Sequence, residues 1–189
     1  SNTVDLPALY GNLAIVYEQI GQPDSLLQAC RSGLAYLAPE STQAALLYNN
    51  MARCYYGQGA IDSTAYYNRR AIDIFSQRDL RGDTLVWYAS ALHQRSLLEL
   101  QQQWPERALR SINQAIGLAE QHFPTSKQRD KAKYYYARGN LQLFFKQPQA
   151  AQRDFKKTLS LFAPLTESAH NFPDYTFTEA LWGLAAVSC

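Results

Sequence analysis

The amino-acid sequence predicts an all-α protein, an α-solenoid of antiparallel helix pairs with about four repeats and a further terminal helix. Three observations lead there. An apolar anchor pattern recurs four times along the 189 residues. Proline recurs at one fixed offset after three of the anchors. The composition, finally, is rich in rings and poor in glycine: 13 Tyr, 8 Phe and 3 Trp stand against 9 Gly and one Met. Such a chain suits neither a many-turned β sandwich nor a glycine-loop nucleotide enzyme. At 47% hydrophobic and 18% charged, with a net charge of +2, it also excludes a disordered chain and a strongly basic nucleic-acid binder.

The first unit places Tyr10, Leu13, Ala14 and Tyr17 on one helix face, and Gly21 follows where that helix would end. A second stripe runs through Leu26, Leu27, Cys30, Gly33, Leu34 and Leu37, closed by Pro39. Sliding by 38 residues reproduces the unit as Tyr48, Met51, Ala52 and Tyr55, the break at Gly59, then Thr64, Asn68, Ala71 and Ile72, with Asn68 a polar departure. The third unit, 44 residues on, keeps Leu92 and Ser96, then Ala108, Ile112, Ala115 and Ile116. The fourth, after another 43, keeps Tyr135, Gly139, Ala151, Phe155, Leu159 and Phe162. Pro23, Pro105 and Pro148 fall in the first turn of each second helix, where the missing N–H costs nothing. Leu37-Ala-Pro39 and Leu161-Phe-Ala-Pro164 are read as the ends of second helices, and segments 78–83 and 122–131 as extended linkers.

Helix pairs with an aromatic anchor, a small residue four later, Gly in the turn and a small residue in the second helix resemble tetratricopeptide repeats. The resemblance covers residues 5–39, 40–77, 83–122 and 127–164, with 174–189 similar to the first helix of a fifth unit, as one domain. It implies a right-handed superhelix whose first helices line a concave groove for an extended peptide. Arg95 and Glu99 in the third unit, and Arg138 and Gln142 in the fourth, stand where that family has apolar residues. Small residues (Ala14, Ala52, Ser96 and Gly139 on first helices; Gly33, Ala71 and Ala115 on second ones) would let the helices approach, and rings would fill the gaps between units.

Carried over position by position, the resemblance implies exposed groove residues at Asn12, Ile15, Glu18, Asn49, Asn50, Arg53, Tyr56, His93, Gln94, Lys133, Tyr136 and Asn140. Asn and Arg can pair with peptide amides or a carboxylate, and Tyr supplies rigid contact area. The family's clamp for C-terminal carboxylates is not met, because Gly11, Ile15, Ser90 and Gln94 occupy four of its five positions and only Asn50 fits. The rings at Tyr10, Tyr17, Tyr48, Tyr55 and Tyr135 read as packing, which leaves Tyr56 and the 134–136 run to face a partner.

No catalytic signature is present: no phosphate loop, no His-Glu-x-x-His, no Gly-x-Ser-x-Gly and no Cys-x-x-Cys. His93, His122 and His170 are far apart, and neither a metal nor a cofactor is expected. Cys30 and Cys54 read as buried small hydrophobes, with a bridge between them as the alternative in an oxidising compartment. Residues 127–157 carry nine Lys/Arg against two acids. They read as the polar outer face of two amphipathic helices rather than a nucleic-acid site. No run is long and apolar enough to span a membrane.

The expectation is therefore a non-enzymatic protein- or peptide-binding scaffold, the sensory or interaction module of a larger bacterial regulatory protein. A freestanding assembly scaffold at the cell envelope is the alternative, and an enzyme with an unrecognised groove site the least favoured reading. The uncapped apolar run 175–189 suggests a piece of a longer chain and a homodimer through the terminal helix. Analogy with bacterial sensor arrays favours the periplasm or envelope over the cytoplasm.

Overall fold

A computed structural model describes residues 6–166 and 175–187, with side chains described over residues 9–162 and 175–187. Cys189 and His170 lie outside the described residues, as does the stretch between the fourth unit and the terminal helix. Described residues form nine α-helices: α1 Leu6–Gln19, α2 Pro23–Leu34, α3 Thr42–Gly57, α4 Ile61–Ser76, α5 Asp83–Gln101, α6 Pro105–His122, α7 Gln128–Phe144, α8 Pro148–Thr166 and α9 Tyr175–Ala186. The chain divides into two compact units, residues 1–98 and 99–189.

In the first unit α1 packs on α2 and α3, and α3 on α4. Ala14, Leu26, Leu27, Cys30, Leu47 and Met51 form one buried cluster, with Tyr17, Tyr55 and Tyr67 packed against it. In the second unit α7 packs on α6 and α8, and α9 on α7 and α8. Its buried clusters centre on Ala132, Leu161 and Phe162 and on Ala151, Phe155 and Ala180. The small residues read as close-approach points are buried: Ala14, Ala52, Ala71 and Ala115 are fully covered, and a Cβ on Gly33 would fall 2.8 Å from Leu47 Cδ1.

One turn joins every helix pair. In the first unit the N–H of Gln22 donates to the carbonyl of Tyr17 (2.9 Å), and that of Ala60 to Tyr55 (2.9 Å). In the second, Trp104 N–H donates to Glu99 (2.8 Å), and Gln147 N–H to Gln142 (2.8 Å). These are the long bonds of a Schellman cap, which need a left-handed residue just before the donor. Gly21 (φ 67°) and Gly59 (φ 72°) fill that position without strain. Gln103 (φ 62°) and Lys146 (φ 56°) fill it in the second unit, each against a cost of roughly 1 kcal/mol. Two residues after three of these positions stand Pro23, Pro105 and Pro148, each opening its second helix.

Two expectations change. Pro164 does not end the second helix of the fourth unit, since α8 continues to Thr166; a proline in the last turn removes one hydrogen bond and leaves the rest. The 122–131 linker shrinks to residues 123–127, most of it a single 3-10 turn over Thr125–Lys127, because α7 begins at Gln128. Cys30 and Cys54 are free thiols, as the first of the two readings had it, with Cys30 buried and Cys54 half-buried. Burial pushes the Cys30 thiol up to about 12, and the Cys54 thiol, also raised, donates weakly to the Pro23 carbonyl at 3.6 Å.

Candidate functional site: the first-helix face

Where first helices meet side by side, α1 with α3 and α7 with α9, polar side chains at the seam must find partners or be buried without them. In the first unit Glu18 on α1 meets Arg53 on α3 at 2.6 Å. Both side chains are 37% exposed, so the pair contributes at most about 1 kcal/mol and can be exchanged for a ligand's carboxylate or carbonyl. The pair forms part of the wall of a cleft of about 260 Å³ between the α1–α2 turn and the end of α3, shared with Tyr17, Pro23, Leu26 and Cys54. Asn12 and Ile15 are exposed on α1.

Deeper along the face the chemistry differs from expectation. Asn49 (1% exposed), Asn50 (6%) and Gln94 (5%) are buried rather than exposed. Asn49 Nδ2 donates to Ser90 Oγ at 3.2 Å, linking α3 to α5. Asn49 Oδ1, Asn50 Nδ2 and Gln94 Nε2 are buried without partners. Asn50 follows Asn49 on α3, and Gln94 stands one turn after Ser90 on α5. A buried amide costs about 1–3 kcal/mol unless a water, an ion or a ligand satisfies it. Tyr56 is half-buried, and burial raises its hydroxyl pKa. His93 is half-buried beside Gln94.

In the second unit Lys133 and Asn140 are half-buried on α7. Tyr136 is half-buried, packs on Phe155 and donates to Glu179 of α9 at 3.3 Å, so its hydroxyl already has a partner within the chain. The rest of the 134–136 run is structural too. Tyr134 is 3% exposed and edge-on to Phe123. Tyr135 donates to Glu120 at 2.9 Å, and burial with that carboxylate pushes its hydroxyl up to about 12.

Arg138, Glu99 and Asn68 find partners on neighbouring helices, whereas the side-chain oxygen of Gln142 is buried without one. Arg138 grips the buried Asp154 with two bonds of 2.7 Å and donates to Asn113 at 3.1 Å. Glu99 accepts from Ser111 at 2.6 Å, and Asn68 donates to the Ala91 carbonyl at 2.9 Å. Arg138 is thereby withdrawn from the basic stretch, and Lys131 reaches Glu120 at 3.7 Å. None of these partners was legible locally. No group of three or more His, Cys, Asp and Glu side chains converges among the described residues. No described helix is long and apolar enough to cross a membrane.

With this geometry in place, the fold can be set against known proteins. No protein-family model and no curated protein matches the sequence. Solved structures do. The chain is similar to BtubC (BKLC) from P. vanneervenii, at 18% identity over 92% of this chain and 70% of that one, with a TM-score of 0.69. It is similar to a putative kinesin light chain of Podosopora anserina with nearly identical TPR-like repeats, at 13% identity over 98% and 87%, TM-score 0.68. It is also similar to the apo form of RapI, at 15% identity over 96% and 62%, TM-score 0.73. The chain has a tetratricopeptide-like helical repeat fold.

Proposed function

We propose that this chain is a non-enzymatic binding module whose first-helix face on α1, α3 and α5 takes an extended segment of a protein partner. The observation that carries this reading is the set of buried, unpartnered amide atoms of Asn49, Asn50 and Gln94. An extended peptide backbone alternates donors and acceptors, and Asn49 Oδ1 offers an acceptor while Asn50 Nδ2 and Gln94 Nε2 offer donors. Arg53, held only by an exposed pairing with Glu18, supplies a cation for a ligand carboxylate. The repeat fold of the similar structures supports a scaffold over an enzyme. Within that reading residues 1–189 act as one domain, the sensory or interaction part of a larger bacterial regulatory protein.

The test is to select peptides from a random display library with the chain and to titrate the best into isotope-labelled protein. The side-chain amide resonances of Asn50 and Gln94 should shift on binding. Shifts confined to the outer faces of α4 and α6 would place the site elsewhere and overturn the assignment.

A further inference from the structure

The cleft between the α1–α2 turn and the end of α3 carries two opposite charges whose bonding capacity is largely unspent. Arg53 Nη2 meets Glu18 Oε1 at 2.6 Å. The second carboxylate oxygen of Glu18, and Nε and Nη1 of Arg53, make no further hydrogen bond among the described residues. The pair is not a feature of the repeat, because the same register sets Tyr56 and Leu97 at these two positions one repeat further on. Tyr17, Pro23, Leu26 and Cys54 give the cleft an apolar wall beside the charges. Gly21 and Gly57 line it too, and a Cβ built on either meets nothing within 4 Å, so both leave it open. Its volume of about 260 Å³ lies under the roughly 300–1,000 Å³ of pockets for drug-sized ligands, which sets the occupant near the size of a single amino acid.

We propose that this cleft binds a free α-amino acid with an aliphatic side chain of the size of leucine. Its carboxylate accepts from the unused N–H groups of Arg53, and its ammonium donates to the unused oxygen of Glu18. Its side chain lies against Tyr17, Pro23 and Leu26. Charge decides among the occupants. A lone carboxylate brought to Arg53 arrives beside Glu18, and a lone ammonium brought to Glu18 arrives beside Arg53, so each gains one bond and is opposed by the second charge. A zwitterion carries both charges on one carbon and completes both bonds without parting the pair. A peptide terminus carries only one of the two. The first unit then takes a small-molecule signal in addition to a protein segment. This inference shares Arg53 with the peptide site proposed above and does not rest on the buried amides of that site.

Calorimetric titration of the full chain with L-leucine, carried into the millimolar range, tests it. Two analogues accompany it: leucinamide, which keeps only the ammonium, and N-acetyl-leucine, which keeps only the carboxylate. Leucine should bind, and each analogue should bind at least about tenfold more weakly. Glu18→Gln should erase the preference for leucine over N-acetyl-leucine, and Arg53→Gln the preference over leucinamide, with helicity by circular dichroism unchanged. Gly57→Leu, inside α3 and facing open space, should fill the cleft and abolish binding while the melting temperature holds or rises. If leucine does not bind, the inference is overturned. It is also overturned if either analogue binds as tightly as leucine, since the cleft then takes a peptide terminus, or if all three variants bind leucine as the parent does. Absence of leucine binding, with peptide shifts at Asn50 and Gln94 retained, strikes this inference alone; leucine binding without those shifts strikes the peptide site alone.

Discussion

The ring of Phe155 is held between two glycines, which makes it the sharpest probe of how α7, α8 and α9 pack. Phe155 is fully buried on α8. A Cβ on Gly139 of α7 would stand 2.6 Å from its Cε1 and 2.9 Å from its Cδ1. A Cβ on Gly183 of α9 would stand 2.8 Å from Cε2 and from Cζ, on the other side of the ring. The ring cannot retreat from one methyl without striking the other helix. Overpacking of this kind costs about 1–3 kcal/mol, while Ala gains about 1 kcal/mol over Gly in a helix interior. Gly139→Ala or Gly183→Ala alone should then destabilise by roughly 0–2 kcal/mol. The double variant should lose more than the sum of the two, because they close on one ring. Gly117 on α6 has nothing within 4 Å of an added Cβ, so Gly117→Ala should stabilise by about 1 kcal/mol. Urea unfolding followed by circular dichroism reads all four. In a Phe155→Leu background the cost of Gly139→Ala should shrink by about 1 kcal/mol or more. If Gly139→Ala stabilises as much as Gly117→Ala, the sandwich is wrong.

Three further outcomes follow from other parts of the molecule. Gln103→Gly and Lys146→Gly should each stabilise by about 1 kcal/mol by relieving a left-handed residue, while Gly21→Ala and Gly59→Ala should destabilise by a similar amount; melting temperatures check the opposite signs. Asp154→Asn leaves the half-buried Arg138 without its bidentate partner and should cost about 3 kcal/mol, whereas Glu40→Gln, in an exposed pair with Arg70 at 3.2 Å, should cost under about 1 kcal/mol; urea midpoints decide between them. The folded-state pKa values of Cys30 and Tyr135 both stand near 12, above their unfolded values, so the folded state holds these protons more tightly. Their contribution to stability is complete below the unfolded pKa values and is lost as pH rises toward 12. Stability measured by urea unfolding should fall across that alkaline window, and a flat profile would contradict the burial of both groups.

Much of the fold was legible because its signals are local. Gly21 and Gly59 mark left-handed caps by their chemistry, and Pro23, Pro105 and Pro148 mark helix starts by theirs. Gln103 and Lys146 carry no such mark, because the conformation there is imposed by the helix pair that the turn joins. Arg138 and Glu99 looked like faults in the pattern. Their partners, Asp154 and Ser111, lie 16 and 12 residues away on the facing helix, a distance that no periodicity encodes. The candidate site was legible in outline only. Asn49, Asn50 and Gln94 stood at the right helix positions, but their burial depends on how closely α3 and α5 approach. Tyr136 stood on the expected face too, but its hydroxyl is bonded to Glu179, 43 residues away on α9.

The unpartnered amides of Asn50 and Gln94 set the decisive measurement, a comparison of stability and affinity in the Asn50→Leu/Gln94→Leu variant. If these groups are kept for a ligand, removing them relieves unpaired burial. The variant should melt at the same temperature or higher, with a gain of up to about 1–3 kcal/mol per site, and should bind the selected peptides at least about tenfold more weakly, roughly 1.4 kcal/mol. A variant that melts lower and binds as the parent does would make both amides structural and contradict the account of the face.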